Sequence, residues 1–187
     1  MIKPEGVIQR PRMSVYIATS IDGYIARADH GLDWLENISP PAGDDEDYGF
    51  KNFLASVDAL VMGKNTYKIA AAAGADKWPY HGKRVIVLSS TLSSVNAQSE
   101  IYTGGIIHLI QKLYSEGIRH IYVDGGKTIS QFLNEGLIDD ITITIIPVLL
   151  GSGIPLIHHV LHESWYHLES VKNYTNGLVQ LHYVTVR

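Results

Sequence analysis

The chain has no cysteine, which excludes disulfides, thiolate metal ligands and a cysteine nucleophile. No apolar run approaches the ~20 residues that span a bilayer, and the start lacks a signal-peptide pattern. Neither sign of charge dominates: 15 Lys and Arg against 19 Asp and Glu give a formal net charge of −4. A chain with that balance has no general attraction for nucleic acid. There is no internal repeat and no low-complexity segment. The expectation is a cytoplasmic protein with neither nucleic acid nor membrane as partner. At 187 residues and 45% hydrophobic, it has the size of one domain with a sizeable core. A polar, proline-containing lead-in over 1–12 is expected to be loosely held, and 13–187 to form the single domain.

What is present centres on Ile121-Tyr122-Val123-Asp124-Gly125-Gly126-Lys127-Thr128-Ile129. Residues with strand preference run into two glycines, and Ile129, Phe132 and Leu133 then fall at i, i+3 and i+4 of a helix that Gly136 ends. A strand that stops on Gly-Gly and opens a helix leaves backbone N–H groups at a positive dipole end, where a phosphate can sit. The same turn also serves as a tight connection without a ligand, and this stretch alone fits both. A P-loop is excluded, because Ile121 stands where the Walker pattern needs its first glycine.

The rest of the chain alternates strands and helices. Met13–Ala18 reads as a buried strand, Asp22-Gly23 as a turn, and 29–43 as a long loop carrying Trp34, which serves either as core anchor or as a platform for a flat ligand. The acidic run 44–47 precedes Phe50, Phe53, Leu54 and Val57 at helical spacing, where carboxylates suit a helix N-terminus. Ala59–Met62 is a short apolar strand ending on Gly63-Lys64-Asn65-Thr66, a second strand–glycine–helix junction. A third strand, 83–88, opens on the basic pair Lys83-Arg84 and runs into Ser89-Ser90. Ile106, Leu109, Ile110 and Leu113 mark a helix feeding the strand 118–124. Later come a strand over 140–148, alternating Ile and Thr, and a hairpin of 168–174 and 178–186 around Asn176-Gly177. The pattern predicts an α/β fold whose sheet is parallel first and antiparallel at its end. His158, His159, His162 and His167 invite a metal reading, but there is no His-Glu-x-x-His and no cysteine, so no metal site is expected. No Gly-x-Ser-x-Gly elbow supports serine hydrolase chemistry.

In order and spacing, the junctions at Gly63-Lys64-Asn65-Thr66, Leu88-Ser89-Ser90 and Asp124-Gly125-Gly126-Lys127 resemble those of the dihydrofolate reductase superfamily. The closer likeness is to the reductase domain of the bifunctional riboflavin-biosynthesis deaminase–reductase and its stand-alone relatives. Ser20–Ala26, Leu32-Asp33-Trp34-Leu35 and Pro147–Leu156 add to that likeness. The resemblance implies a three-layer fold: a mixed, mostly parallel sheet with helices on both faces and an antiparallel C-terminal hairpin.

It also implies NADPH, a small heterocyclic substrate of pterin or aminopyrimidine type, and a homodimer. Gly63, Lys64, Asn65 and Thr66 match the phosphate-binding segment. Leu88, Ser89 and Ser90 match the segment at the adenosine 2′-phosphate, with Lys64 or Arg84 as its cation. Asp124, Gly125, Gly126, Lys127, Thr128 and Ile129 match the turn under the pyrophosphate and nicotinamide, where a side chain on either glycine is expected to block close approach. Ala18, Gly23 and Ile25 are placed beside the nicotinamide, and Trp34 and Tyr48 beside the substrate. Asp47 is the first candidate acid and Asp22 the second. No deaminase segment with zinc ligands is present, so only the reduction half is expected. Dihydrofolate reductase proper and a non-catalytic nucleotide-binding module are the alternatives.

Overall fold

The computed structural model describes residues 9–38, 46–72 and 74–186. The strands are β1 (Arg12–Ser20), β2 (Tyr24–Ala26), β3 (Ala59–Gly63), β4 (Arg84–Leu88) and β5 (Ser99–Tyr102), then β6 (His120–Asp124), β7 (Asp140–Ile146), β8 (Ile154–Pro155), β9 (Tyr166–Asn173) and β10 (Val179–Thr185). The helices are α1 (Asp33–Glu36), α2 (Phe50–Ser56), α3 (Lys64–Ala72), α4 (Ile106–Ser115) and α5 (Gly126–Asn134).

Eight strands form one sheet in the order β5-β4-β3-β6-β1-β7-β10-β9. Pairing is parallel from β5 to β7 and antiparallel for β7–β10 and β10–β9. The central strands are apolar without alternation because both their faces are covered. On one face, Met13, Val15, Val61, Ile86 and Val123 pack against Leu109 and Leu113 of α4 and Ile129 and Phe132 of α5. On the other, Leu60, Met62, Val85 and Val87 meet Tyr67 of α3, Trp78 and Tyr80, with Phe50 and Phe53 of α2 alongside. This is the expected three-layer arrangement.

The helices after β3 and β6 therefore lie on opposite faces, although those strands are neighbours. Such a switch opens a crevice at the carboxyl ends of the strands, where α/β sheets bind ligands.

Several boundaries differ from the sequence reading. β5 was not anticipated; its four residues have no strong alternation and pair only with β4. The loop after β7 carries β8, which pairs with β2 beneath the Asp22-Gly23 turn. Residues 1–8 lie outside the described residues, but the end of the lead-in is tied down. Arg10 bridges Asp139 at 2.7 Å, and Arg12 opens β1 with its backbone N–H on Arg119 O.

Among the described residues, β10 and β9 at the far end of the sheet contribute nothing to the cores under α4 and α5 or under α2 and α3. The register aligns Ile143 with Leu181 and Leu181 with Val171, and likewise Ile141 with Tyr183 and Tyr183 with Leu168. These rows make one apolar face. Leu168 and Val171 are 42% and 51% exposed, and Leu181 and Tyr183 join none of the core clusters.

Candidate active site

At the carboxyl ends of β3, β4, β5 and β6, a cleft of about 1110 Å³ opens at the starts of α3, α4 and α5. Each helix leaves its first-turn N–H groups without intrahelical partners, so the donors converge where the dipoles are positive. Lys64 and Lys127 stand on the rim, and Lys64 Nζ donates to Thr91 Oγ1 at 2.9 Å.

The two glycine junctions interlock. A Cβ on Gly63 would lie 3.1 Å from Thr128 Oγ1, and one on Gly125 would collide with Thr66 Oγ1. A Cβ on Gly126 would meet the carbonyl oxygens of Pro155 at 2.6 Å and Leu156 at 2.9 Å. That revises the expected reason for the pair: both glycines admit the protein's own atoms, which brings α5 against β3, α3 and the 155–158 segment.

Asp124 closes the floor between β3 and β6. Its Oδ1 accepts from Gly125 N at 2.8 Å, and its Oδ2 from the Tyr80 hydroxyl at 3.2 Å. Burial outweighs these bonds and pushes the carboxyl up to about 6. The Tyr80 hydroxyl is driven well above its ordinary range by burial and by Asp124. A carboxyl that holds its proton near neutrality can serve acid–base chemistry.

A second chamber of about 300 Å³ adjoins the cleft and shares Tyr16, Ile17, Ala18 and Leu35 with it. Tyr48, Phe50, Asp47 and Thr144 help to line it. Gln180 Nε2 braces its wall, donating to Tyr16 Oη at 2.9 Å, Tyr48 O at 3.0 Å and Thr144 Oγ1 at 2.9 Å. Burial raises the Tyr16 hydroxyl to about 12, so it stays protonated and donates to the Tyr48 carbonyl.

The structure brings together Ala18, Ile25, Gly63, Lys64, Asn65, Thr66, Leu88, Ser89 and Ser90 on the cleft wall, with Asp124 to Thr128 opposite. Ile129 is not among them; it is fully buried in the core against β1 and β6. Gly23 is also off the cleft, and its carbonyl accepts from Leu156 N at 2.9 Å. Asp22 accepts from Ser20 Oγ at 2.6 Å and from the backbone of Leu150 and Gly151. Those bonds hold its carboxyl below the usual range and make it the brace of a loop, outside both chambers.

Trp34 is a core anchor, packed with Ile146, Tyr174 and Leu178. Asp47 does reach the second chamber, but both its oxygens take backbone donors, Gly49 N at 3.0 Å and Lys51 N at 2.8 Å. These bonds hold it below the ordinary carboxylate range, which suits an anion and not a proton donor. It precedes α2 by three residues, at the turn where Tyr48 and Gly49 take positive φ, so it lies outside the first helical turn where the sequence pattern put it. Residues 44 and 45 of the acidic run lie outside the described residues.

Arg84 is at the opposite end of β4 from the cleft and pairs with Glu100 and Glu116. That removes it as a cation for the cleft. Ser89 Oγ accepts from Thr91 N and Leu92 N, which turns the chain locally.

Sequence reasoning missed Thr103-Gly104-Gly105, the third strand–glycine–helix junction, because β5 before it went unread. It also missed Tyr80, which arrives from an irregular stretch, and His158, whose Nε2 is buried without a partner among the described residues. Burial and then the Lys127 charge lower the His158 pKa. Among the described residues no group of three metal-ligating side chains forms. No helix among them is long and apolar enough to cross a membrane.

This geometry meets its counterpart in known proteins. The sequence model described as the RibD C-terminal domain matches residues 11–180. The chain belongs to the RibD C-terminal domain family. It is 33% identical over 172 residues to the uncharacterized protein YwjB of Bacillus subtilis (strain 168), across 91% of this chain and 95% of that one. It is 26% identical to the riboflavin biosynthesis protein RibD of Corynebacterium ammoniagenes over 82% of this chain, but spans only 48% of that protein.

A solved structure of a candidate riboflavin biosynthesis protein from Shewanella sp. PV-4 superposes with a TM-score of 0.87 at 37% identity, covering 94% of this chain and 99% of that one. The riboflavin biosynthesis reductase Rib7 of Saccharomyces cerevisiae shares the fold at a TM-score of 0.62 and 15% identity, over 98% and 93% of the two chains. The family is thus of riboflavin-biosynthesis reductase type, and the RibD-like fold expected from the sequence is present.

Proposed function

We propose that the protein is an NADPH-dependent reductase of a pterin- or aminopyrimidine-type heterocycle. The observation that carries this reading is one cleft in which three helix N-termini and two lysines face a carboxyl raised to about 6. Helix N-termini, Lys64, Lys127 and the Thr66 and Thr128 hydroxyls form a donor set suited to phosphates. The buried Nε2 of His158 adds one more polar group on the same wall. These residues fit the cofactor that the family implies.

Bound NADPH would supply a hydride, two electrons and a proton's mass, to a carbon of the substrate. The chain's own part is to hold both molecules and to manage the proton that the adjacent nitrogen takes up. Asp124 is the group suited to that second task. It is protonated below about 6, sits on the cleft floor, and is positioned by the Tyr80 hydroxyl. Tyr16, held by Gln180 and Tyr122, lines both the cleft and the second chamber, and the heterocycle enters that chamber with its reacting edge toward the cleft.

The test is direct. Purified protein titrated with NADPH should saturate, and a heterocycle of this class should drive loss of the reduced nicotinamide absorbance. Absence of NADPH binding to the folded protein would remove the reading.

A further inference from the structure

The two chambers differ in charge. The large cleft holds Lys64, Lys127, His30 and His158. Among the described residues that line the small chamber there is no Lys, Arg or His, and its one ionisable acid, Asp47, is held as a carboxylate. Glu46 lies next to it, with its Oε1 on the Tyr48 N–H at 2.7 Å.

Two cations stand outside the chamber. Lys51 neighbours Asp47 without lining the cavity, and Lys172 lies over the Tyr174 ring at 4.4 Å. The chamber itself is walled by Tyr16, Tyr48 and Phe50 and braced by the Gln180 network. At about 300 Å³ it is at the small end of ligand pockets, a space for a flat ring system.

From this segregation of charge we infer that the substrate is a flat amino-heterocycle without a phosphate group. This rests on the reductase reading above and deepens it. A phosphate in the chamber would face the Asp47 carboxylate with no cation on the wall, while Lys51 and Lys172 outside it are already engaged with that carboxylate, and like charges at short range oppose binding. An unphosphorylated aminopyrimidine or pterin instead brings N–H donors toward Asp47, whose oxygens keep lone pairs beyond the two backbone bonds, and ring faces toward the three aromatics. The relative from Thermotoga maritima is described as a 5-amino-6-(5-phosphoribosylamino)uracil reductase. The inference separates this chain from that protein at the phosphate.

The experiment uses the full chain saturated with NADP⁺, so that ligands bind without turning over. Calorimetry compares 5-amino-6-ribosylaminouracil with its 5′-phosphate, and adds a simple pterin. The unphosphorylated compound is expected to bind at least tenfold more tightly than the phosphate. Ile38→Lys, which puts a cation on the chamber wall, should shrink that preference at least tenfold. Equal or tighter binding of the phosphate, or binding of none of the three compounds, overturns the inference. NADPH binding, and its oxidation with any compound that binds, is read separately. Failure there sinks the reductase reading, whereas a reversed phosphate preference with oxidation intact sinks only this inference.

Discussion

The Thr66 hydroxyl occupies the space that a Cβ on Gly125 would need. Gly125 also holds φ +89, in the region that favours glycine. Gly63 repeats the relation with Thr128 on the facing element, so each helix start keys into the glycine of the other junction. The floor of the cleft is set by this mutual fit.

Gly125→Ala should therefore lower stability by about 2 kcal/mol, or roughly 4–8 °C in melting temperature for a chain of this size. Thr66→Ala should recover part of that loss, because it removes the colliding oxygen and leaves only the φ strain. A double-mutant cycle by thermal denaturation reads a coupling of about 0.5–3 kcal/mol. Strict additivity would show that the two side chains do not share the space.

Asp124 ties stability to pH in an unusual direction. Its folded value, about 6, lies above the ordinary carboxylate value of 3.8. Between those two values the folded state holds a proton that the unfolded chain has lost, so stability falls as pH rises through the window. Asp124→Asn should flatten that slope and raise stability at pH 7 by about 1–2 kcal/mol, discounted for the side chain's partial exposure. Turnover should drop by roughly 10²-fold or more. Denaturant unfolding from pH 4 to 7, beside the pH–rate profile, checks both halves. Unchanged turnover would dismiss Asp124 as the proton source.

Lys64 is the cation on the cleft rim beside the Ser89-Ser90 turn. A charge-assisted bond to phosphate contributes about 1.5–3 kcal/mol. Lys64→Ala should then weaken NADPH by roughly 10–150-fold and NADH far less. Arg84→Ala, which breaks pairs at the other end of β4, should leave both affinities alone. Equal losses for the two cofactors on removing Lys64 would place it away from the 2′-phosphate.

The apolar rows on β7, β10 and β9 lead to a prediction about assembly. Ile141 and Ile143 pack at the margin of the core under α4 and α5, but among the described residues Leu181, Tyr183, Leu168 and Val171 join no core cluster; β9 is an edge strand, and edge strands with apolar surface invite pairing. A second copy of the chain related by a two-fold axis would cover both faces at once. Sedimentation should give a dimer for the native chain and a folded monomer for Val171→Glu, with NADPH affinity retained. A native monomer at about 10 μM would exclude the assembly.

Much of this was legible in the amino-acid order. The run from Ile121 to Ile129 specified a strand, a glycine turn and a helix, because strand preference, glycine and the 3.6-residue period each act locally. Asn176-Gly177 announced the closing hairpin for the same reason, and β3 declared a doubly covered strand by its unbroken apolar run. The lysine and threonine of each junction were also visible, since they follow the glycines directly in sequence.

What the sequence left open was settled by contacts between distant segments. Asp22, Asp47 and Asp124 are chemically alike in a string of letters. Gly151 N comes to the first from 129 residues away and burial beside Tyr80 comes to the third, while the second is set by the local turn that brings it Lys51 N. Arg84 and Lys64 flank different strands at opposite ends, a distinction that needs the parallel register of β3 and β4. The two glycines at 125 and 126 were readable as turn residues, but the atoms they make room for, Thr66 Oγ1 and the carbonyl of Pro155, arrive from 59 and 29 residues away along the chain. Local conformational preference is written residue by residue, whereas the solvation and charge of a side chain depend on neighbours that only the folded sheet brings near.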